Sequence, residues 1–151
     1  MENTNLSETI SALLEGETNL VAGLANSAAV LKDAFNPLWV GFYLVNNQKE
    51  KNNLVLGPFQ GPVACSRIFF GRGVCGKSWE TGQTIIVGNV HEFHDHIACS
   101  HLSNSEIVVP IFKNNNVVAV LDLDSTEFNA FDKKDASELE NICRIVSELF
   151  N

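Results

Sequence analysis

Apolar residues recur at helical spacing near both ends of the chain and alternate or cluster in between, which predicts helices flanking a run of strands. Ile10, Leu13 and Leu14 mark a first helix that Gly16 can end in the left-handed conformation. A second runs from about Asn19 to Phe35, with Leu20, Leu24, Ala28 and Leu31 on one face, and Asn36-Pro37 stops it. WVGFYLV at 39–45 and NNLVLGPFQ at 52–60 then read as strands joined by the polar turn 46–53. SRIFF is strand-like, TIIVG at 84–88 is a short strand, and a short helix spans Val74 to Thr81. EIVVPIF at 106–112 and NVVAVLDLDS at 116–125 flank Lys113-Asn114-Asn115 as a second hairpin. From Asp132 to Phe150, Leu139, Ile142, Cys143, Val146 and Leu149 share a helical face. This order predicts the α+β class: a central antiparallel sheet with the N- and C-terminal helices packed on one side.

At 151 residues the chain is expected to form one domain, 1–151, with no internal repeat or linker. A formal charge of −8 argues against nucleic acid or an anionic membrane surface as partner. The longest apolar runs, such as VVAVL at 117–121, are too short to span a bilayer. MENTNLSETI has no basic segment of the kind that opens a secretory leader, so a cytoplasmic location is expected. In that reducing setting a disulfide between any of the 4 cysteines would be transient and catalytic.

Cys65, Cys75 and Cys99 fall within about 35 residues, none in a C-x-x-C pair and each beside small residues. Thiols spread over separate loops suit a nucleophile and a partner that later closes a disulfide on it. GRGVCG places Gly71, Gly73 and Gly76 in a literal G-x-G-x-x-G. A dinucleotide site also needs a parallel βαβ unit, and the flanking elements read as antiparallel. The glycines are better read as a tight loop that delivers Cys75 to the start of a short helix, whose dipole would lower its thiol pKa. His91, His94, His96 and His101 surround Cys99 in a turn-rich loop, without the regular spacing of a zinc site. A histidine beside Cys99 can instead favour its thiolate. Cys143 lies at core spacing and reads as a small hydrophobe.

In LDLDS, alternation sends Asp122 and Asp124 to one face of a strand and Leu121 and Leu123 to the other. The acids face either solvent or a polar pocket, to which Glu106 would add a third carboxylate across the hairpin. Such a cluster wants a cationic ligand group or a shared proton. Trp39 and Tyr43 also share a face, as core aromatics or as the wall of an apolar pocket.

The strings LGPFQGPVACSRIFFGRGVCG, HIACS, SEIVVPIF and VLDLDS together resemble the free methionine-(R)-sulfoxide reductases, a family with the GAF fold, over nearly the whole chain. The resemblance implies an antiparallel sheet with packed helices and, as substrate, the free R epimer of methionine sulfoxide. It implies Cys99 as the nucleophile that becomes a sulfenic acid and Cys65 as the resolving thiol. Cys75 would be an alternative resolving or relay thiol. Glu106, Asp122 and Asp124 match the family's pocket carboxylates, with Glu106 or Asp124 as proton donor, and Trp39 and Tyr43 its aromatic wall. No bound cofactor or metal is implied; thioredoxin is the expected external reductant and a homodimer the expected assembly. The rival readings are a small-molecule-sensing GAF module without catalysis and a zinc-binding structural module.

Overall fold

A computed structural model describes residues 5–46, 52–97 and 99–151. Helices α1 (Leu6–Leu14) and α2 (Leu20–Phe35) precede strands β1 (Trp39–Val45), β2 (Asn53–Gln60) and β3 (Arg67–Phe69). Helix α3 (Gly73–Thr81) and strand β4 (Ile85–Val87) lead to β5 (Ser105–Lys113), β6 (Asn116–Ser125) and α4 (Lys133–Val146). The strands form one sheet in the order β3-β2-β1-β6-β5-β4. Every adjacent pair is antiparallel, so the α+β reading holds. No helix among the described residues is long and apolar enough to cross a membrane.

Local chemistry sets the element ends. Asn5 and Asn19 accept hydrogen bonds from Ser7 N and Ala22 N, and Asp132 and Asp135 form a reciprocal capping box on α4. Asn36 ends α2 in the left-handed region, as Gly16 does just past α1. Asn114 and Asn115 both have positive φ, the twist a two-residue hairpin needs between β5 and β6. The β1–β2 pairing is present, while turn residues 47–51 lie outside the described set. Two limits differ from the sequence reading. Helix α4 stops at Val146 and tightens into a 3₁₀ turn over Ser147–Leu149, and Leu13 is 41% exposed instead of joining Ile10 in the core.

The sheet has two unlike faces. On one, α1, α2 and α4 bury Val40, Phe42, Ile107, Val109, Leu121 and Leu123, all at most 1% exposed. On the other, a smaller cluster of Trp39, Tyr43, Ile68, Val108 and Val120 meets Val74 and Cys75 of α3. Period-2 alternation partitions the sheet residues between these faces, so the leucines of β6 serve the helical core and its acids go to the other side.

Close backbone approach fixes α3. A Cβ added at Gly76 would lie 2.6 Å from the Phe69 carbonyl oxygen, and one at Gly73, whose φ is +62°, would press on Ile97. Gly→Ala inside a helix ordinarily stabilises by about 1 kcal/mol. At Gly76 the backbone contact reverses that sign, and we expect Gly76→Ala to lose on the order of 1–3 kcal/mol. Urea denaturation against exposed Lys77→Ala as control checks this; an unchanged or raised midpoint for Gly76→Ala refutes it.

Candidate active site

The strand register that buries Leu121 and Leu123 among the helices places Asp122 and Asp124 on the opposite face, with Glu106 of β5 directly across from Asp124. Glu106 and Asp122 are each 5% exposed. Their polar partners are few. Ser103 Oγ donates to Asp124 Oδ1 at 3.3 Å, and His96 Nε2 stands 3.6 Å from Glu106 Oε1. Asp122 Oδ1 is buried without a hydrogen-bond partner. Among the described residues, no lysine or arginine forms an ion pair with any of the three acids. Burial first, then the neighbouring carboxylates, pushes Asp122 and Asp124 well above the usual carboxylate range. Asp122 and Asp124 are therefore biased toward their acid forms, and a cation received among the three groups would relieve the repulsion between their charges.

Cys65, in the loop after β2, and Cys99, in the loop before β5, are joined by a disulfide with their Cα atoms 5.5 Å apart. The Tyr43 hydroxyl donates to the Cys65 carbonyl at 2.9 Å. Burial, then the charge of Asp122, raises the Tyr43 pKa, so the phenol stays a donor. The two loops are thereby fastened to each other and to the sheet.

Cys75 is different. It is the third residue of α3, 4% exposed and outside any disulfide. The helix N-terminus was expected to lower its pKa; instead burial, then the charges of Asp122, Glu106 and Asp124, pushes the thiol well up. A helix-end dipole acts within one turn, and here desolvation beside three acids outweighs it. Arg72, the N-cap residue of α3, is engaged elsewhere. Arg72 grips Asp95 through two hydrogen bonds of 2.6 and 2.8 Å, which holds the Asp95 carboxyl below its usual range. Asp95 also accepts from Gly73 N at 3.4 Å, so it caps α3 from the loop that leads to Cys99.

Trp39, Tyr43, Cys75, Cys99, Glu106, Asp122 and Asp124 all line one cavity of about 50 Å³, enough for several waters in the disulfide form. Cys65 sits behind Cys99 and does not line it. Trp39 stacks between Tyr43 and Phe59, with ring centroids 5.8 and 5.3 Å away, as an aromatic wall beside the acids, directly across the β1–β6 pairing from Asp124. The histidines of the loop disperse: His91 Nε2 meets Asn104 at 2.8 Å, His94 and His101 are exposed, and only His96 turns inward. The G-x-G-x-x-G string adjoins an antiparallel edge strand and lacks the parallel βαβ unit of a dinucleotide site. Cys143 is buried in the helical core, on the far face. Ser103 and the Arg72–Asp95 pair escaped the sequence reading, because partners 21 and 23 residues apart share no local pattern.

The family model of the GAF domain matches residues 12–151. GAF domain-containing protein A of Dictyostelium discoideum is 52% identical over 142 residues, 94% of this chain and 88% of the relative. Free methionine-R-sulfoxide reductase of Escherichia coli is 45% identical over 139 residues, 91% and 82% of the two chains. The free methionine-R-sulfoxide reductase of Neisseria meningitidis, solved in complex with its substrate, superposes with a TM-score of 0.93 at 51% identity, covering 96% of this chain and 86% of that one. With near-complete coverage at these identities, the chain belongs to the GAF-domain family and, within it, to the free methionine-R-sulfoxide reductases.

Proposed function

We propose that this chain reduces free L-methionine-(R)-sulfoxide to L-methionine, with Cys99 as nucleophile and Cys65 as resolving thiol. The observation that carries the reading is the Cys65–Cys99 disulfide beside a cavity that Cys99 lines together with the three carboxyl groups and the Trp39 and Tyr43 rings. The two kinds of lining match the two ends of the substrate. The ammonium of a free amino acid pairs with Glu106 and Asp122, and the methyl end lies against Trp39 and Tyr43. An acylated amine carries no positive charge, so peptide-bound sulfoxide gains nothing from the carboxylates.

Oxide is too basic to leave a sulfoxide, so its oxygen must be protonated as the sulfur is attacked. Asp124 supplies that proton, because burial and the adjacent Glu106 push its pKa up and bias it toward the acid form. The Cys99 thiolate gives two electrons to the substrate sulfur and takes its oxygen, leaving methionine and a Cys99 sulfenic acid. Cys65 then attacks the Cys99 sulfur; the S–S bond forms and water departs. A thioredoxin-type dithiol, oxidised in turn, reduces the disulfide by exchange. The same reading places the enzyme in a reducing cytoplasm and pairs two copies through the terminal helices, where Leu13 and Val21 are exposed.

Counting thiols on the reduced protein tests the chemistry directly. We expect the R epimer to remove two thiols per chain and release one methionine, and the S epimer to remove none; an unchanged count with the R epimer points to a sensor without catalysis. Cys99→Ser should abolish even a single turnover, whereas Cys65→Ser should complete one and fail to recycle. Undiminished steady-state turnover of Cys65→Ser with a thioredoxin system removes it from the cycle.

Glu106→Gln should lower kcat/KM by on the order of 10²-fold or more, through loss of a buried charge that faces the substrate ammonium. A near-normal rate excludes Glu106 from the site.

The pH profile carries a sign. Asp124 is active as the acid, so kcat/KM should fall as pH rises through its raised pKa, and Asp124→Asn should be slow and lack that alkaline limb. A limb that persists in Asp124→Asn assigns proton donation elsewhere.

A further inference from the structure

We infer that Cys75, Glu106 and Asp122 form a binding site for a thiophilic divalent cation of the zinc class, whose occupancy closes the acidic side of the cavity. The sulfur and one oxygen from each carboxylate all lie within 4.8 Å of one another. Three separate elements supply them: α3, β5 and β6. Zinc holds sulfur at about 2.3 Å and oxygen at about 2.1 Å, so neighbouring donors in a tetrahedral site stand about 3.5 Å apart. The three groups need to draw together by only about 1 Å, a movement within reach of side-chain rotation.

A second observation points to a ligand here. Asp122 is 5% exposed, and its Oδ1 has no hydrogen-bond partner in a setting where an unmatched buried oxygen is costly. Cys75, 4% exposed and outside any disulfide, is within hydrogen-bonding reach of the Asp122 carboxyl. One thiol and two carboxylates can form a mixed S/O set, and the sulfur selects zinc, cobalt or cadmium over magnesium or calcium. Solvent would complete the shell, since the three donors line a cavity. As the ion binds, Cys75 gives its proton to solvent, Asp122 releases any proton it holds, and no electron is transferred. The three donors are in place with the Cys65–Cys99 disulfide closed.

Ion binding stands on geometry alone. Its consequence rests on the proposed function, since the ion would take the carboxylates that hold the substrate ammonium. The test therefore uses the full chain in its disulfide form, where Cys75 and Cys143 are the free thiols. Titration with Co²⁺ should give a near-ultraviolet thiolate-to-cobalt charge-transfer band that saturates at one equivalent and is displaced by Zn²⁺. Cys75→Ser should lose the band, and Cys143→Ala should keep it. Asp122→Asn, which retains the thiol, should weaken Co²⁺ binding at least tenfold and guards against a folding defect in Cys75→Ser. No band at saturating Co²⁺, a band that survives Cys75→Ser, or unchanged affinity in Asp122→Asn overturns the site. Metal-free turnover of the R epimer is measured separately: its absence with the band present removes the catalytic reading and leaves the ion site standing.

Discussion

Three carboxyl groups, two buried and one half-buried, on one face of a sheet, with no lysine or arginine among the described residues paired to them, are the constraint around which the rest of this molecule is arranged. Carboxylates at that separation in a poorly solvated setting cannot all ionise together. The fold tolerates them because they share protons, because Ser103 and His96 meet two of them, and because a cation can be received there. Every group near the cluster feels the same field. Cys75 and Tyr43 are both pushed toward their protonated forms, with burial the larger cause and the acids next. A site that biases two of its acids toward the protonated form, and relieves the repulsion among them when a cation arrives, is suited to a zwitterionic substrate with a poor leaving group.

The opposite face supplies the stability that this arrangement needs. Leu121 and Leu123 alternate with Asp122 and Asp124, so one strand contributes to both faces at once. A one-residue slip of β6 would exchange them, placing two leucines in the cavity and two acids among α1, α2 and α4. Register is therefore enforced by the helical core, and the geometry of the acids is inherited from it. The loops that bear the thiols are held more lightly: one by Tyr43, one by the Arg72–Asp95 pair, and each by the other through the disulfide. Such tethering suits residues whose sulfurs must separate and rejoin.

Much of this was legible in the sequence because it depends on short-range pattern. Strand alternation alone placed Asp122 and Asp124 opposite Leu121 and Leu123, and Asn36-Pro37 and the asparagines of the second hairpin located their turns. The grouping of Cys65 with Cys99 rested on the family resemblance, since spacing left the pairing open. What the sequence concealed is long-range. Asp95 capping α3 from 22 residues away has no local signature, nor does Ser103 reaching Asp124. The helix-dipole expectation for Cys75 failed for the same reason. A residue's position in its helix is written locally, but the acids beside it come from other strands.

The three loop and helix cysteines show how environment divides one residue type into different chemistry. Cys65 and Cys99 lie on loops, half-buried, close enough to join; their neighbours hold backbone and leave the sulfurs free to react. Cys75 is locked into α3 by glycines that admit no larger residue, sealed from solvent and surrounded by negative charge. Attack on an electrophile requires a thiolate that is both accessible and inexpensive to form. Cys75 meets neither condition as the structure stands. A divalent cation supplies what it lacks, because an ion bound by Glu106 and Asp122 neutralises the charge that opposes thiolate formation. The field that makes Cys75 a poor nucleophile therefore makes it a good third ligand.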